Sequence, residues 1–153
     1  MATSSWIDTC IEFLETWEDA KLEAYQCSAG VWTIGLGTTR YPDGPVVWKG
    51  DTCTMDDAYD YCAHYLTKKA PHVKKAIKNP EWLEGDKFAA VMSLVYNIGL
   101  AAFKNSTVLK RINNQDDEDS IREAWGWWNK AGGKKVRGLV NRRRAELILA
   151  FGS

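Results

Sequence analysis

Glu18-Asp19-Ala20-Lys21-Leu22-Glu23-Ala24-Tyr25-Gln26-Cys27-Ser28-Ala29-Gly30-Val31-Trp32-Thr33-Ile34-Gly35-Leu36-Gly37-Thr38 is the stretch on which the fold turns. Before it, Trp6, Cys10, Phe13, Leu14 and Trp17 recur at three- and four-residue spacing, the period of one helix face. Inside the stretch that period stops. Short β-forming runs, Ala24-Tyr25 and Val31-Trp32-Thr33-Ile34, flank Ser28-Ala29-Gly30, which reads as a small hairpin. Beyond it, Tyr41-Pro42-Asp43-Gly44-Pro45 is a turn by its chemistry. A small sheet is therefore expected over residues 23–50.

Outward from this stretch the chain reads as helical. Ser5 and Asp8 make a capping box for the first helix, whose pattern fades near Glu18. Thr54 and Asp57 make a second one, opening a helix to about Thr67, and Pro71 suits the first turn of a short helix ending near Lys78. Phe88, Val91, Met92, Val95 and Ile98 mark a central buried helix over 85–98. Ser106 caps a short helix to Asn113. Asp116, Asp117, Glu118 and Asp119 start another, with Ile121, Ala124, Trp125 and Trp128 inward, and Gly132-Gly133 breaks it. The last helix is expected over 139–150, with Val140, Leu147, Ile148 and Phe151 inward. The fold class is α+β in one domain, 1–153. A small antiparallel sheet lobe (about 19–52) lies beside a larger helical lobe (about 54–153 plus the N-terminal helix), with a cleft between them as the place to seek a site.

Composition narrows the function classes. The chain has 153 residues, 45% of them hydrophobic and 26% charged, which excludes a disordered or fibrous protein. Twenty basic and twenty acidic residues sum to zero, which excludes nucleic acid held by global charge. The balance is uneven along the chain. Residues 1–60 hold eleven acids and three bases, and from Lys130 to Arg144 there are seven bases and no acid. No apolar run approaches the length of a membrane span, and the N-terminus lacks the pattern of a secretory signal, so accumulation in a cytoplasm is expected. The four cysteines, Cys10, Cys27, Cys53 and Cys62, contain no C-x-x-C. Cys53 and Cys62 with His64 and His72 match no metal-ligand spacing, so no metal is expected. A Cys53–Cys62 disulfide would require an oxidising space.

Three polar residues at element ends are candidates to face one cleft. Glu18 stands where the first helix ends, and Cys27 and Thr33 stand on or beside the hairpin. As isolated residues, a Glu at a helix end is usually solvated, a lone Cys is usually a small buried hydrophobe, and a Thr in a strand is a strand former.

Their spacing resembles the signature of the phage lysozyme (endolysin) family, the bacteriophage-type muramidases: a Glu, eight residues, an Asp or Cys, five residues, a Thr, within T-I-G-x-G. Asn97-Ile98-Gly99 with Phe103 and Asn105-Ser106-Thr107 resembles the family's central-helix segment. Gly138-Leu139-Val140-Asn141-Arg142-Arg143-Arg144-Ala145-Glu146 resembles its C-terminal G-L-x-x-R-R-x-x-E element. The resemblance spans nearly the whole chain in order.

It implies a lysozyme-like fold and hydrolysis of the β-1,4 bond between N-acetylmuramic acid and N-acetylglucosamine in bacterial peptidoglycan, lysing the host. The chemistry asks for an acid on the leaving oxygen and a group opposite to manage water and oxocarbenium-like charge. By family position Glu18 is the general acid, Thr33 holds the attacking water, and Cys27 takes the place often held by Asp. An acid working near neutral pH needs a site that raises its pKa. Arg142 aligns with an arginine near the catalytic Glu and is expected to pair with Glu18. Thr38 stands where many relatives carry His. Trp32, Asn97 and Ser106 are expected at the substrate, with most of the eight Trp in the core.

No cofactor is implied. The expected partner is peptidoglycan, without nucleic acid or stable membrane association, met by a monomer that is made in the host cytoplasm and let out by a holin. The late bases would hold the anionic polymer, and the early acids would help keep Glu18 protonated. Two other readings are a catalytically weak peptidoglycan-binding module of the same fold and a cysteine hydrolase using Cys27 with His64 or His72.

Overall fold

The computed structural model describes residues 5–153. They form two compact units, one of residues 11–68, the other of residues 69–153 with the N-terminal segment through Cys10.

Helix α1 (Trp6–Trp17) starts where Ser5 and Asp8 predict, with the Asp8 amide donating to Ser5 Oγ at 3.3 Å. Cys10 and Leu14 are its fully buried positions. Strands β1 (Lys21–Gln26) and β2 (Trp32–Gly35) form the expected antiparallel hairpin, with a register irregularity between Lys21 and Tyr25. The turn after it closes through Tyr41 N to Pro45 O (2.9 Å) and Gly44 N to Tyr41 O (3.0 Å). Gly35 is needed twice over. Its φ is +66°, and a Cβ there would meet Ala58 Cβ at 3.1 Å.

Helix α2 (Met55–Ala76) corrects the reading of two helices split near Pro71. Its reciprocal cap is as expected: Thr54 N donates to Asp57 and Asp57 N to Thr54 Oγ1, both at 3.0 Å. Pro71 then lies inside one continuous 22-residue helix. The reason is the buried stripe Ala58, Cys62, Leu66, Ala70, Val73 and Ile77, which keeps helical spacing straight through the proline. Burial on both sides outweighs the one amide hydrogen bond Pro71 cannot give. Cys53 and Cys62 are not bridged.

In the other unit, α3 (Gly85–Ile98) is the central helix, with every residue from Phe88 to Val95 buried. It packs on α7 (Arg137–Phe151). Short helices α4 (Leu100–Lys104), α5 (Thr107–Asn113) and α6 (Glu118–Gly126) connect them. Ser106 caps α5 as expected, and Asp117 caps α6 by accepting from Ser120 N at 2.8 Å.

Three expectations fail here. Gly132-Gly133 does not merely break a helix. With φ of +59° and +79° it makes the tight turn of a second hairpin, β3 (Lys130–Ala131) and β4 (Lys134–Lys135). Helix α7 starts at Arg137, and its buried face is Arg142, Arg143, Glu146, Leu147 and Ala150, while Ile148 is 50% exposed. Period counting looks for apolar residues, and this helix buries charges that neutralise one another. Of the eight Trp only Trp82 and Trp125 are fully buried, and Trp48 and Trp127 are largely exposed.

Candidate active site

Glu18 follows the last residue of α1, and its amide closes the final helical turn onto Leu14 O at 2.7 Å. That bond sets where its half-buried carboxylate begins.

Cys27 and Thr33 are placed by the hairpin. Five residues, 27–31, join the strands, with the turn at Ser28 to Gly30. Cys27 N donates to Val31 O (3.0 Å), Gly30 N donates to Cys27 O (2.8 Å), and Gly30 takes the left-handed conformation with φ +79°. Gln26 Nε2 braces the loop on Gly30 O at 3.2 Å. The loop keeps the amides of Ala29 and Val31 near the Cys27 sulfur. The Val31 N–H, then the Ala29 N–H, with the Thr33 hydroxyl adding to them, hold the thiol below its ordinary value against a small opposing cost of desolvation.

Thr33 is buried, and its hydroxyl donates to Val31 O at 3.0 Å. A hydroxyl has one proton and two lone pairs. While that proton serves Val31, the oxygen keeps its lone pairs to accept a further hydrogen bond.

Tyr25 is the site residue that the sequence reading left without a role. It stands directly opposite Thr33 in the strand register, so the two side chains share a hairpin face. Its phenol is raised above the usual tyrosine value, first by burial, then by the charges of Glu18 and Cys27. It therefore lies within the field of both groups and links them. The period of two was the available signal: Tyr25 is two residues before Cys27 on the same strand path.

Trp32 pairs with Gln26, on the hairpin face opposite to Tyr25 and Thr33. It packs on Trp48, with ring centroids 6.2 Å apart. The remaining candidates belong to the other unit. Asn97 is exposed near the end of α3. Ser106 is buried, and its hydroxyl is occupied at both ends, accepting from Leu109 N (3.1 Å) and donating to Phe103 O (2.6 Å).

Arg142 is buried. Its Nη2 donates to Ser93 O at 3.2 Å, and its Nε lies 3.5 Å from Glu146 Oε2. Glu146 gathers four further contacts: Arg143 Nε (2.8 Å), Arg143 Nη2 (3.1 Å), Trp125 Nε1 (2.9 Å) and Ser93 Oγ (2.5 Å). Two guanidinium groups around one carboxylate make a buried, charge-assisted network.

A carboxylate at a helix end, a hairpin bearing a thiol and a hydroxyl, and a helical remainder define the lysozyme-like α+β class. Solved structures agree. The endolysin from Escherichia coli O157:H7 phage FAHEc1 superposes with a TM-score of 0.82 at 38% identity, over 99% of this chain and 94% of that one. A lysozyme variant of phage P22 gives 0.78 at 32% identity, over 100% and 99%. The endolysin of Acyrthosiphon pisum secondary endosymbiont phage 1 is 34% identical over 139 residues, 89% of this chain and 90% of its own length. The phage lysozyme family model matches residues 15–146, and the chain belongs to that family.

Proposed function

We propose that Glu18, Cys27 and Thr33 carry the reaction and that Tyr25 positions them. The activity is that of a lysozyme: a glycoside hydrolase that cleaves bacterial peptidoglycan. The bond cut is the β-1,4 link from N-acetylmuramic acid to N-acetylglucosamine. Glu18 gives its proton to the leaving glycosidic oxygen as the bond to the anomeric carbon breaks. A water held by the Thr33 hydroxyl attacks that carbon from the other side, and its proton passes to the Cys27 sulfur. The observation that carries this reading is the hairpin that places Cys27 in its loop and the buried Thr33 on the adjoining strand, with the neighbouring Val31 and Ala29 amides holding the thiol below its ordinary value.

Asn97, exposed on α3, is proposed at the substrate. Ser106, which fixes the start of α5, is proposed at the substrate with it. Trp32 offers, with Trp48, a ring surface for a neighbouring stretch of glycan. Arg142 holds the helical network and, through it, the charge balance of its unit.

Loss of turbidity of purified peptidoglycan is the direct test. The wild type clears the suspension, and Glu18→Gln does not. Cys27→Ala lowers the rate steeply. Full activity in Cys27→Ala would remove Cys27 from the mechanism. Binding with no clearance by the wild type would favour the weak binding module. We further propose that the protein acts as a monomer on the wall after synthesis in the host cytoplasm and release through a holin.

A further inference from the structure

The seven bases between Lys130 and Arg144 divide sharply. Arg142 and Arg143 are buried around Glu146, the only acid of α7. The side chains of Lys130, Lys134, Lys135, Arg137 and Arg144 are exposed and make no hydrogen bond or ion pair among the described residues. The β3–β4 register even sets Lys130 directly opposite Lys135, a like-charge pairing that costs stability. Unneutralised cations forced together in this way break a local rule, which folds tolerate mainly where a ligand compensates.

These cations have a place to act. Lys135, Arg137, Asn141 and Arg144 line a cavity of about 420 Å³ together with Val140. Val140 and Arg144 also line a second cavity of about 440 Å³, which is floored by Leu147 and Ile148. A cationic pocket thus opens onto a mainly apolar groove, and Ile148, half exposed, sits in the groove. A hydrated glycan with acidic peptides needs the first feature and gains nothing from the second. An anionic amphiphile uses both, with phosphate oxygens among guanidinium and ammonium groups and acyl carbon against Val140, Leu147 and Ile148.

We propose that this face docks reversibly on an anionic phospholipid surface, the phosphate seated among Lys135, Arg137 and Arg144. The contact is electrostatic and shallow, so it is salt-sensitive and differs from stable membrane association. Its residues belong to a different unit from Glu18, Cys27 and Thr33, and it does not depend on their roles.

Co-sedimentation of the full chain with vesicles tests it. Binding is expected to vesicles of equal parts phosphatidylglycerol and phosphatidylcholine, and it disappears at high salt. Phosphatidylcholine alone gives none. Arg137→Glu with Arg144→Glu weakens binding at least about tenfold. Ile148→Asp, which leaves every cation in place, weakens it about threefold or more. Thermal melting checks folding, and should the double variant unfold, Lys134→Glu with Lys135→Glu on the exposed hairpin replaces it. Equal binding to both vesicle types, or binding untouched by charge reversal, would overturn the proposal. So would charge reversal that raises only the KM for peptidoglycan while Ile148→Asp changes nothing, because that assigns the face to the polymer.

Discussion

The hairpin of β1 and β2 and the helix pair of α3 and α7 both gather polar groups, but to opposite ends. On the hairpin, backbone amides do the work. They lie beside a partly exposed thiol, and the Thr33 hydroxyl next to it donates to Val31 O and keeps lone pairs for a further partner. Between α3 and α7, side chains satisfy one another. Glu146 is 0% exposed, and its oxygens are taken up by Arg142, Arg143, Trp125 and Ser93. Reactive chemistry needs groups with capacity left for substrate and water, whereas structural chemistry needs none left over. Substitutions on the two regions should therefore separate activity from stability.

The largest effect is expected at the hairpin end of that contrast. Glu18→Gln should cut lysis by about 10³-fold or more while the melting temperature stays within a few degrees. A melting temperature that falls along with the lysis rate would blur the contrast, because it would give Glu18 a structural share. On the helical side, Glu146→Ala leaves two guanidinium groups buried without their carboxylate, and should cost about 3–5 kcal/mol in denaturant unfolding. A loss under about 1 kcal/mol would mean that the network relaxes into solvent.

Pro71→Ala is a smaller change. A proline inside a helix costs about 3 kcal/mol, part of which is returned by a stiffer unfolded chain and by the exposed, hydrated turn around Thr67. A net gain of about 1–2 kcal/mol is expected, read by chemical denaturation.

The subtlest change concerns pH. The Cys27 thiol is lowered in the folded chain, so the unfolded chain binds the extra proton between the folded and the ordinary thiol value. The stability this gives is fully present above the ordinary value and is lost as pH falls through the lowered one. Alkylation by iodoacetamide should accordingly rise at a pH below the ordinary thiol range. Thr33→Val should move the rise upward, and an unmoved profile would leave the cradle to the amides of Val31 and Ala29 alone.

Much of the fold was legible because its signals are local. Ser5, Thr54 and Ser106 mark helix starts through short-range bonds, and the periodic run Phe88 to Val95 needs only its own spacing to be recognised as central. Glu18, Cys27 and Thr33 were legible through their spacing. Tyr25 is marked in the sequence only by its two-residue spacing from Cys27, and its weight comes from the cross-strand register with Thr33, which that spacing does not reveal. Pro71 misled for a similar reason. A breaker is a local signal, and the stripe that overrides it extends from Ala58 to Ile77.

By itself, then, the sequence determined the α+β class, the position of the hairpin and the motif spacing on which the proposed reaction residues rest, because turn chemistry, capping and motif spacing act over a few residues. Only the tertiary structure decided which arginines are buried and which face solvent, and where Tyr25 stands relative to its neighbours. Burial and register depend on what arrives from distant parts of the chain. A run such as Arg142-Arg143-Arg144 has the same charge at every position until tertiary packing buries two of them and leaves the third outside.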